Sequence, residues 1–248
     1  MNKLKIKNNL LAAWAITVKD IKIYYLRPGT LMFGVMFPLF MFLSFAVGRD
    51  IQPSALIPGL ISLAVLFSAS SIGPVAIPIE RRVKTFERLL SAPISFYAVI
   101  LGKALGGVLF SIFISVVGLI AAITFLGVTV ANPTVLFPGI IVASLCFSLL
   151  GIMFAMFPTE NPGDIMMVLN FIRLPLMFIS GIFIPVESLP SWSRVVSLIS
   201  PLTYANNLFR SGIEGITNFP LIANYLVLLA FSSLFLFVGV RLDRKFRD

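Results

Sequence analysis

The sequence predicts an all-α, polytopic membrane protein, and its composition and hydropathy are the two observations that predict it. Hydrophobic residues make up 58% of the 248 positions and charged residues only 12%, and the mean hydropathy is +1.02. A soluble fold of this length cannot keep so much apolar surface from water. Because no polar stretch is long enough for a separate soluble domain, we predict one transmembrane domain over residues 1–248.

The first 28 residues predict an N-terminal helix that lies along the membrane surface. Lys19 and Lys22 fall beside an apolar helical stripe, as in interfacial helices. Anionic membrane lipids would attract these lysines, so we place the helix at the cytoplasmic leaflet. The apolar stripe consists of Leu11, Trp14, Val18, Ile21 and Tyr25.

Six later apolar runs are long enough to cross a bilayer, since about 20 residues at ~1.5 Å rise per residue cover a hydrocarbon core of ~30 Å. Prolines in and near the ends of the first two runs, Pro38, Pro58, Pro74 and Pro78, predict kinks there. The predicted spans are residues 29–47, 55–79, 96–130, 135–157, 165–184 and 222–240.

Lysine and arginine are distributed unequally between the two sides of this topology. Only Arg49, Arg194 and Arg210 fall on one side, so we predict that the other side, which includes both termini, is cytoplasmic. The net charge of +9 then reflects topology, and nucleic-acid binding is not expected. The cytoplasmic set is Lys3, Lys5, Lys7, Lys19, Lys22, Arg27, Arg81, Arg82, Lys84, Arg88, Lys103, Arg241, Arg244, Lys245 and Arg247.

The segment 79–95 is the longest densely charged stretch between two long apolar runs. Apolar residues recur in it every three to four positions, which predicts a short amphipathic helix that ends before Pro93. The local pattern fits two interpretations equally: a loop whose charge only sets topology, or a helix that docks a partner. Its apolar positions are Val83, Phe86, Leu89 and Leu90, and its charged positions are Glu80, Arg81, Arg82, Lys84, Glu87 and Arg88.

The segment 185–220 is too apolar for a solvated loop, yet Pro190, Pro201 and Arg210 make it a poor spanning helix. We predict a re-entrant helical hairpin that packs against the outer side of the bundle. The alternative is a seventh span, which would place the basic C-terminus outside, against the charge rule.

The sequence contains no recognisable catalytic, nucleotide or metal site. Histidine is absent, which removes the commonest general base and metal ligand. Gly102 and Lys103 superficially suggest a phosphate-binding loop, but Tyr97 and Ala104 stand where that motif needs glycine and a hydroxyl residue. We therefore predict no cofactor on this chain and expect Lys103 to extend its ammonium to the membrane interface.

Three residues within the apolar runs or at their ends need separate interpretation. A catalytic aspartate dyad in the membrane would need a second aspartate at the depth of Asp164, and the predicted spans contain none. We therefore expect Asp164 to cap the fifth span. Cys146 is expected to be a small core residue. Arg173 lies well inside the fifth span, where arginine is costly. It could line a substrate pathway or subunit interface, or it could pair with a carbonyl or lipid phosphate.

Two blocks of residues carry a family resemblance, together with Tyr25, Arg27, Pro28 and Pro38 at the N-terminus. The first block consists of Glu80, Arg81, Thr85, Glu87, Leu89, Leu90, Pro93, Ile94 and Ser95. The second consists of Leu174, Pro175, Phe178, Ser180, Gly181, Phe183, Pro185, Leu189, Pro190, Trp192, Ser200, Pro201, Leu202, Thr203, Tyr204 and Arg210. On these positions the chain resembles the ABC-2 type transporter permeases. One departure is Lys84, where the family commonly has glycine.

The resemblance implies the membrane-spanning half of an exporter. Two such subunits pair, as a homodimer or heterodimer, and two copies of a separate ATP-binding cassette protein, which bind ATP and Mg, dock on cytoplasmic coupling helices. The segment 79–95 would be that coupling helix, and Glu80, Arg81, Glu87 and Arg88 would orient the ATPase at its rim. The docking residues would be Glu80, Arg81, Thr85, Phe86, Glu87, Arg88, Leu89 and Leu90, and the outer hairpin would be defined by Pro190, Trp192, Pro201, Tyr204 and Arg210.

Two other functions are compatible with the residues alone. A channel or secondary carrier could work without an ATPase, or a membrane scaffold could recruit a cytoplasmic partner without transporting anything. The cargo expected from the resemblance is amphipathic or lipid-like, moved across the cell membrane.

Overall fold

The computed structural model describes residues 3–25, 53–183 and 195–247, together with four single positions between 36 and 44. Within these ranges the chain forms helices and no strand, which confirms the predicted all-α class. The predicted first span, 29–47, lies outside the described residues apart from those four positions. The helices are α1 (Lys3–Asp20, continued by a π-helical turn, Ile21–Tyr25), α2 (Pro53–Ser70), α3 (Ile72–Arg82), α4 (Thr85–Leu90), α5 (Phe96–Leu126), α6 (Pro133–Ala155), α7 (Pro162–Ile179), α8 (Pro201–Ile213) and α9 (Leu221–Arg247).

Five stretches in the described chain are long and apolar enough to cross a membrane: Ala55–Arg82, Phe96–Leu126, Pro133–Ala155, Pro162–Ile179 and Leu221–Phe246. They correspond to the second to sixth predicted runs. The first of them contains both α2 and α3.

Helix α6 lies at the centre of the bundle and contacts α2, α3, α5, α8 and α9. Its side chains are almost all apolar or small, so other helices can pack against every face of it. Cys146 and Phe147 are fully buried there, and Cys146 is a small core residue as predicted.

The second span is interrupted at Ser71, between α2 and α3. The cause is Pro74: it has no N–H to donate to the Ser70 carbonyl one turn earlier, and its ring crowds that carbonyl. Gly151 of α6 faces the same carbonyl so closely that a Cβ there would collide with it. An interruption is therefore present at Pro74, as predicted, and α6 packs directly against it, whereas Pro58 and Pro78 lie inside the unbroken helices α2 and α3.

Helix α1 packs along α5, where the two backbones touch at Gly102. The Thr17 hydroxyl donates to the Gly102 carbonyl at 2.7 Å. Leu11 and Trp14 remain more than half exposed, but Tyr25 is buried. The predicted stripe is therefore wrong at Tyr25, because the π-helical turn rotates this ring inward onto Phe110, where the ring centroids are 5.1 Å apart.

The described part of the outer segment contains α8, whose 13 residues extend about 20 Å. That length is too short for the seventh span considered as an alternative. Helix α8 is buried on nearly every side against α2, α6 and α9. The preceding half of the predicted hairpin, which includes Pro190 and Trp192, lies outside the described residues.

Candidate functional site

The segment 79–95 is not one helix, which corrects the sequence prediction. Its first residues complete α3, a turn follows at Val83 and Lys84, and only Thr85–Leu90 forms α4. Ser95 then caps α5, because its hydroxyl accepts from the Ala98 N–H at 3.2 Å. The charged residues of this segment are therefore divided between the end of α3, the turn at Lys84 and the separate helix α4.

Lys84 causes that division. Its φ of 56° and ψ of 22° lie in the left-handed region, and it is the only non-glycine residue in the described chain with positive φ. A right-handed helix cannot continue through this conformation, and glycine adopts it most easily. Lys84 thus adopts here a backbone conformation that favours glycine.

Four charged side chains form one cluster of ion pairs, which we call the charged quartet: Lys19, Asp20, Glu80 and Lys103. The Lys103 Nζ lies 2.7 Å from the Glu80 Oε2 and 3.2 Å from the Asp20 Oδ2. The Lys19 Nζ lies 2.8 Å from the Asp20 Oδ1 and also pairs with Glu80. Two carboxylates thus share two ammonium groups, and the quartet joins α1, α3 and α5.

Asp20, Glu80 and Lys103 are almost completely buried. Burying a single charge costs far more than burying a compensated set, so the quartet keeps its members together. Partial burial lowers the pKa of Lys19, but Asp20 and Glu80 outweigh this and raise it above its ordinary value. The Lys19 ion pairs therefore contribute their full stability at pH values below the ordinary pKa of lysine. This contribution is lost only as the pH rises through the raised pKa of Lys19.

The quartet corrects two sequence expectations. Lys103 does not extend to the membrane interface, because both of its carboxylate partners lie inside the protein. Glu80 is not at the rim of a docking surface, because it is 2% exposed. No local sequence pattern could show this, since the partners lie on three separate helices.

Arg81 is also directed inward, onto the end of α6. Its guanidinium donates to the carbonyls of Ala155 at 3.1 Å and Met156 at 3.3 Å, and also to that of Phe157. A cation at a helix C-terminus satisfies carbonyls that have no helical partner and complements the helix dipole. Arg81 thus connects the end of α3 to the end of the central helix.

Phe86 holds α4 against the bundle. It is 2% exposed and packs with Ile77, Ile100 and Ile152 in one apolar cluster. The Arg81 guanidinium lies 5.3 Å from the centre of its ring. Through this side chain α4 is packed against α3, α5 and α6.

The remaining predicted docking residues are open to solvent to different degrees. Thr85, Glu87 and Arg88 are exposed, whereas Leu89 and Leu90 are half-buried. The exposed face of α4 thus carries both a carboxylate and a guanidinium at adjacent positions. These are the predicted docking residues that a partner could reach directly.

A groove of about 520 Å³ lies beside α4. Three carboxylates and one guanidinium line it together with apolar side chains. The described residues contain no group of three or more acidic or cysteine side chains placed to hold a metal ion. The groove is lined by Arg81, Phe86, Glu87, Leu90, Ser91, Pro158, Thr159, Glu160, Asp243 and Phe246.

Pro201, Tyr204 and Arg210, the described residues of the predicted outer hairpin, lie at the opposite end of α6, about 35 Å away by the length of that helix. Pro201 begins α8, and the Tyr204 hydroxyl donates to the Leu198 carbonyl at 2.9 Å. The Arg210 Nε lies 3.4 Å from the Glu214 Oε2. These contacts hold α8 and its flanking turns in place, and they are separate from the α4 site.

The fifth span corresponds to α7. Asn161 is its N-cap, with its side-chain oxygen accepting from the Gly163 N–H at 3.0 Å. Asp164 lies in the first turn, where it accepts from the Asn161 amide at 2.9 Å. Arg173 is fully buried, and it donates to the hydroxyls of Ser70 and Ser71 and to the Asn170 amide oxygen. These partners are side chains rather than the backbone carbonyl considered from the sequence.

Comparison with known proteins identifies the class. The family model for ABC-2 type transporters matches residues 12–213, so the chain belongs to this family. It is 27% identical over 176 residues to the inner membrane transport permease YadH of Escherichia coli K12, covering 71% of this chain and 68% of that protein. The same values hold for the proteins of that name from Escherichia coli O157:H7 and Shigella flexneri.

The chain is thus a multi-pass transmembrane protein of the ABC transporter class, and the resemblance seen in its sequence is confirmed. Membership of this family implies, in general, an ATPase partner and a dimeric arrangement.

Proposed function

We propose that this chain is the transmembrane permease subunit of an ATP-binding cassette exporter. A separate ATPase subunit binds ATP and Mg and supplies the energy, and the chain itself is not an enzyme. Two permease subunits form the path for an amphipathic or lipid-like substrate across the cell membrane. The observation that carries this proposal is α4, a short helix with an exposed charged face and a deeply packed base.

The packing of α4 supports its role as a coupling helix. A partner that pulls on Glu87 or Arg88 would also move Phe86, which is inside the bundle. The adjacent Arg81 and the charged quartet connect the same region to α1, α3, α5 and α6. A displacement of α4 would therefore move several helices together, as rigid-body transitions require.

The charge distribution supports the orientation. The exposed basic residues Arg82, Lys84 and Arg88 lie at the α4 end of the bundle, together with Arg244 and Lys245 of α9. We place this end, with both termini, in the cytoplasm, where basic residues are favoured and where ATP is available. Helix α1 would then lie against anionic lipids.

Charge reversal on α4 tests the proposal. The tagged permease is expressed in its native host, and the proteins that it retains are isolated through the tag and tested for a cassette ATPase. We expect Glu87→Arg, Arg88→Glu and the double reversal each to lower ATPase retention about tenfold, which corresponds to about 1.4 kcal/mol of binding free energy. Lys22→Glu, an exposed reversal outside α4, is the matched control.

Two results would contradict the proposal. One is an absence of any associated cassette ATPase, or unchanged retention after all three reversals. The other is substrate uptake driven by an ion gradient in liposomes that contain the permease alone, which would indicate a secondary carrier.

A further inference from the structure

The interruption of the second span lies between the outer helix α2 and the helix that leads to α4. Its cytoplasmic half, α3, carries both Glu80 and Arg81 and is thereby tied to α1, α5 and α6. Its outer half, α2, also packs against α5 and α6, and in addition against α8. Because the helix is interrupted at Ser71, a change in the angle between α3 and α2 would occur at Ser70 and Ser71.

Arg173 reaches this interruption from α7 and contacts both sides of it. Its Nη2 donates to the Ser70 hydroxyl at 2.6 Å and to the Ser71 hydroxyl at 3.2 Å. Its guanidinium carbon also lies 5.1 Å from the centre of the Phe67 ring in α2. The two serine hydroxyls donate in turn to the carbonyls of Leu66 and Phe67, so their free lone pairs face the arginine.

The bonding of Arg173 differs from that of the charged quartet. Each ammonium group in the quartet faces carboxylates, whereas the side-chain acceptors of Arg173 are two hydroxyls and one amide. Its buried Nε has no acceptor among the described residues. Among the described residues this buried cation is held by neutral groups, so no charge pairing fixes it to one partner, and another hydroxyl or carbonyl could accept the same hydrogen bonds.

We propose that Ser70 and Ser71 form a hinge and that Arg173 is the positioning residue that holds this hinge in one of two arrangements. The quartet joins α3 to α1 and α5, and Arg173 stabilises the joint at which α3 turns relative to α2. During the ATP cycle Arg173 exchanges its serine partners for other acceptors. This inference rests on the proposed function, because the motion at the hinge is driven through α4.

Hydrogen exchange across the hinge tests this inference in the intact permease–ATPase complex. Exchange is measured over residues 66–80 without nucleotide and after trapping with ATP and vanadate, which needs no transported substrate. We expect vanadate trapping to accelerate exchange over 66–80 in the unmodified complex and to leave residues 139–150 of α6 unchanged. In the Ser70→Ala, Ser71→Ala double variant, exchange over 66–80 should already be raised without nucleotide. The ratio of the exchange rate after vanadate trapping to the rate without nucleotide should therefore fall about 2- to 30-fold.

Ser68→Ala is the matched control, because Ser68 is also buried in α2 and donates to a carbonyl one turn earlier but is not bonded to Arg173. Arg173→Met should also lower the nucleotide dependence of exchange over 66–80. Arg173→Lys keeps the charge and should restore part of that dependence. If Arg173→Met fails to assemble, the serine variants still decide the question.

The hinge proposal would be overturned if exchange over 66–80 ignored vanadate in the unmodified complex, or if Ser68→Ala behaved like the double serine variant. Those results leave the proposed function intact as long as charge reversal on α4 still releases the ATPase. Failure of the proposed function would show itself differently, as an absence of any bound ATPase.

Discussion

Lys84 separates α4 from α3 by adopting a backbone conformation that glycine adopts at lower cost. We expect Lys84→Gly to be neutral or slightly stabilising, because relief of the left-handed strain offsets the greater flexibility of the unfolded chain. Lys84→Val should lower the free energy of unfolding by about 1 to 2 kcal/mol relative to Lys84→Gly, since a β-branched residue is poorly tolerated at positive φ. Thermal unfolding of the detergent-solubilised protein measures both. Equal midpoints for the two variants would contradict the left-handed assignment.

The charged quartet has a different energetic character, because its members compensate one another. Glu80→Gln should destabilise the protein by about 3 to 5 kcal/mol, since it leaves Lys103 incompletely paired in a buried position. Lys103→Met should have a similar cost for the opposite reason. The double variant should cost less than the sum of the two, because it removes one charge of each sign and leaves the Lys19–Asp20 pair.

Glu87→Gln is the control for that cycle, because it makes the same substitution at an exposed carboxylate. We expect it to cost less than about 1 kcal/mol. Additive effects of Glu80→Gln and Lys103→Met would mean that the two side chains do not interact as the structure shows.

At the scale of whole helices, the contact between α1 and α5 depends on the absence of a side chain at Gly102. A Cβ at this position would lie 2.6 Å from the Ala13 carbonyl oxygen and 2.9 Å from the Ile16 Cβ. Gly102→Leu should therefore displace α1 while leaving the spans in place. The same substitution at Gly118 is a matched control on α5, because nothing lies within 4 Å of a Cβ there.

Cysteine labelling reports this displacement directly. Ala13 is 3% exposed, so Ala13→Cys in a Cys146→Ala background should react slowly with a soluble maleimide. We expect Gly102→Leu to accelerate that reaction at least about tenfold, since opening the α1 contact exposes the site. Gly118→Leu should not change it. Slow labelling in both variants would show that α1 tolerates the extra volume.

At the scale of the whole molecule, α6 separates the α4 site from the turn that follows α8. Ser91 lies beside α4 and Ile216 follows α8, and both are exposed. In sealed right-side-out vesicles, a membrane-impermeant maleimide should label Ile216→Cys at once and Ser91→Cys only after permeabilisation, because the bilayer separates them. The fully buried Cys146 should stay unlabelled. Immediate labelling of Ser91→Cys would reverse the proposed orientation.

The helices and their boundaries could largely be predicted from the sequence, because span length and hydropathy are local properties. The interruption of the second span was also accessible, since Pro74 removes a specific hydrogen bond wherever the chain folds. The family could be recognised for the same reason, as its blocks are continuous stretches. The turn before α4 could be predicted only in part from the sequence. The departure from glycine marked Lys84 as unusual, but its conformation depends on the packing around it.

The amino-acid sequence by itself thus determined an all-helical membrane protein of the ABC-2 family. Tertiary structure alone decided which charges face a partner and which hold the fold together. Glu80 and Glu87 are indistinguishable in the charge pattern, yet one is buried with Lys103 and the other is exposed. Arg173 was equally ambiguous until Ser70 and Ser71 were placed beside it. The physical reason is that a buried charge depends on partners far away in sequence, and only folding brings them together.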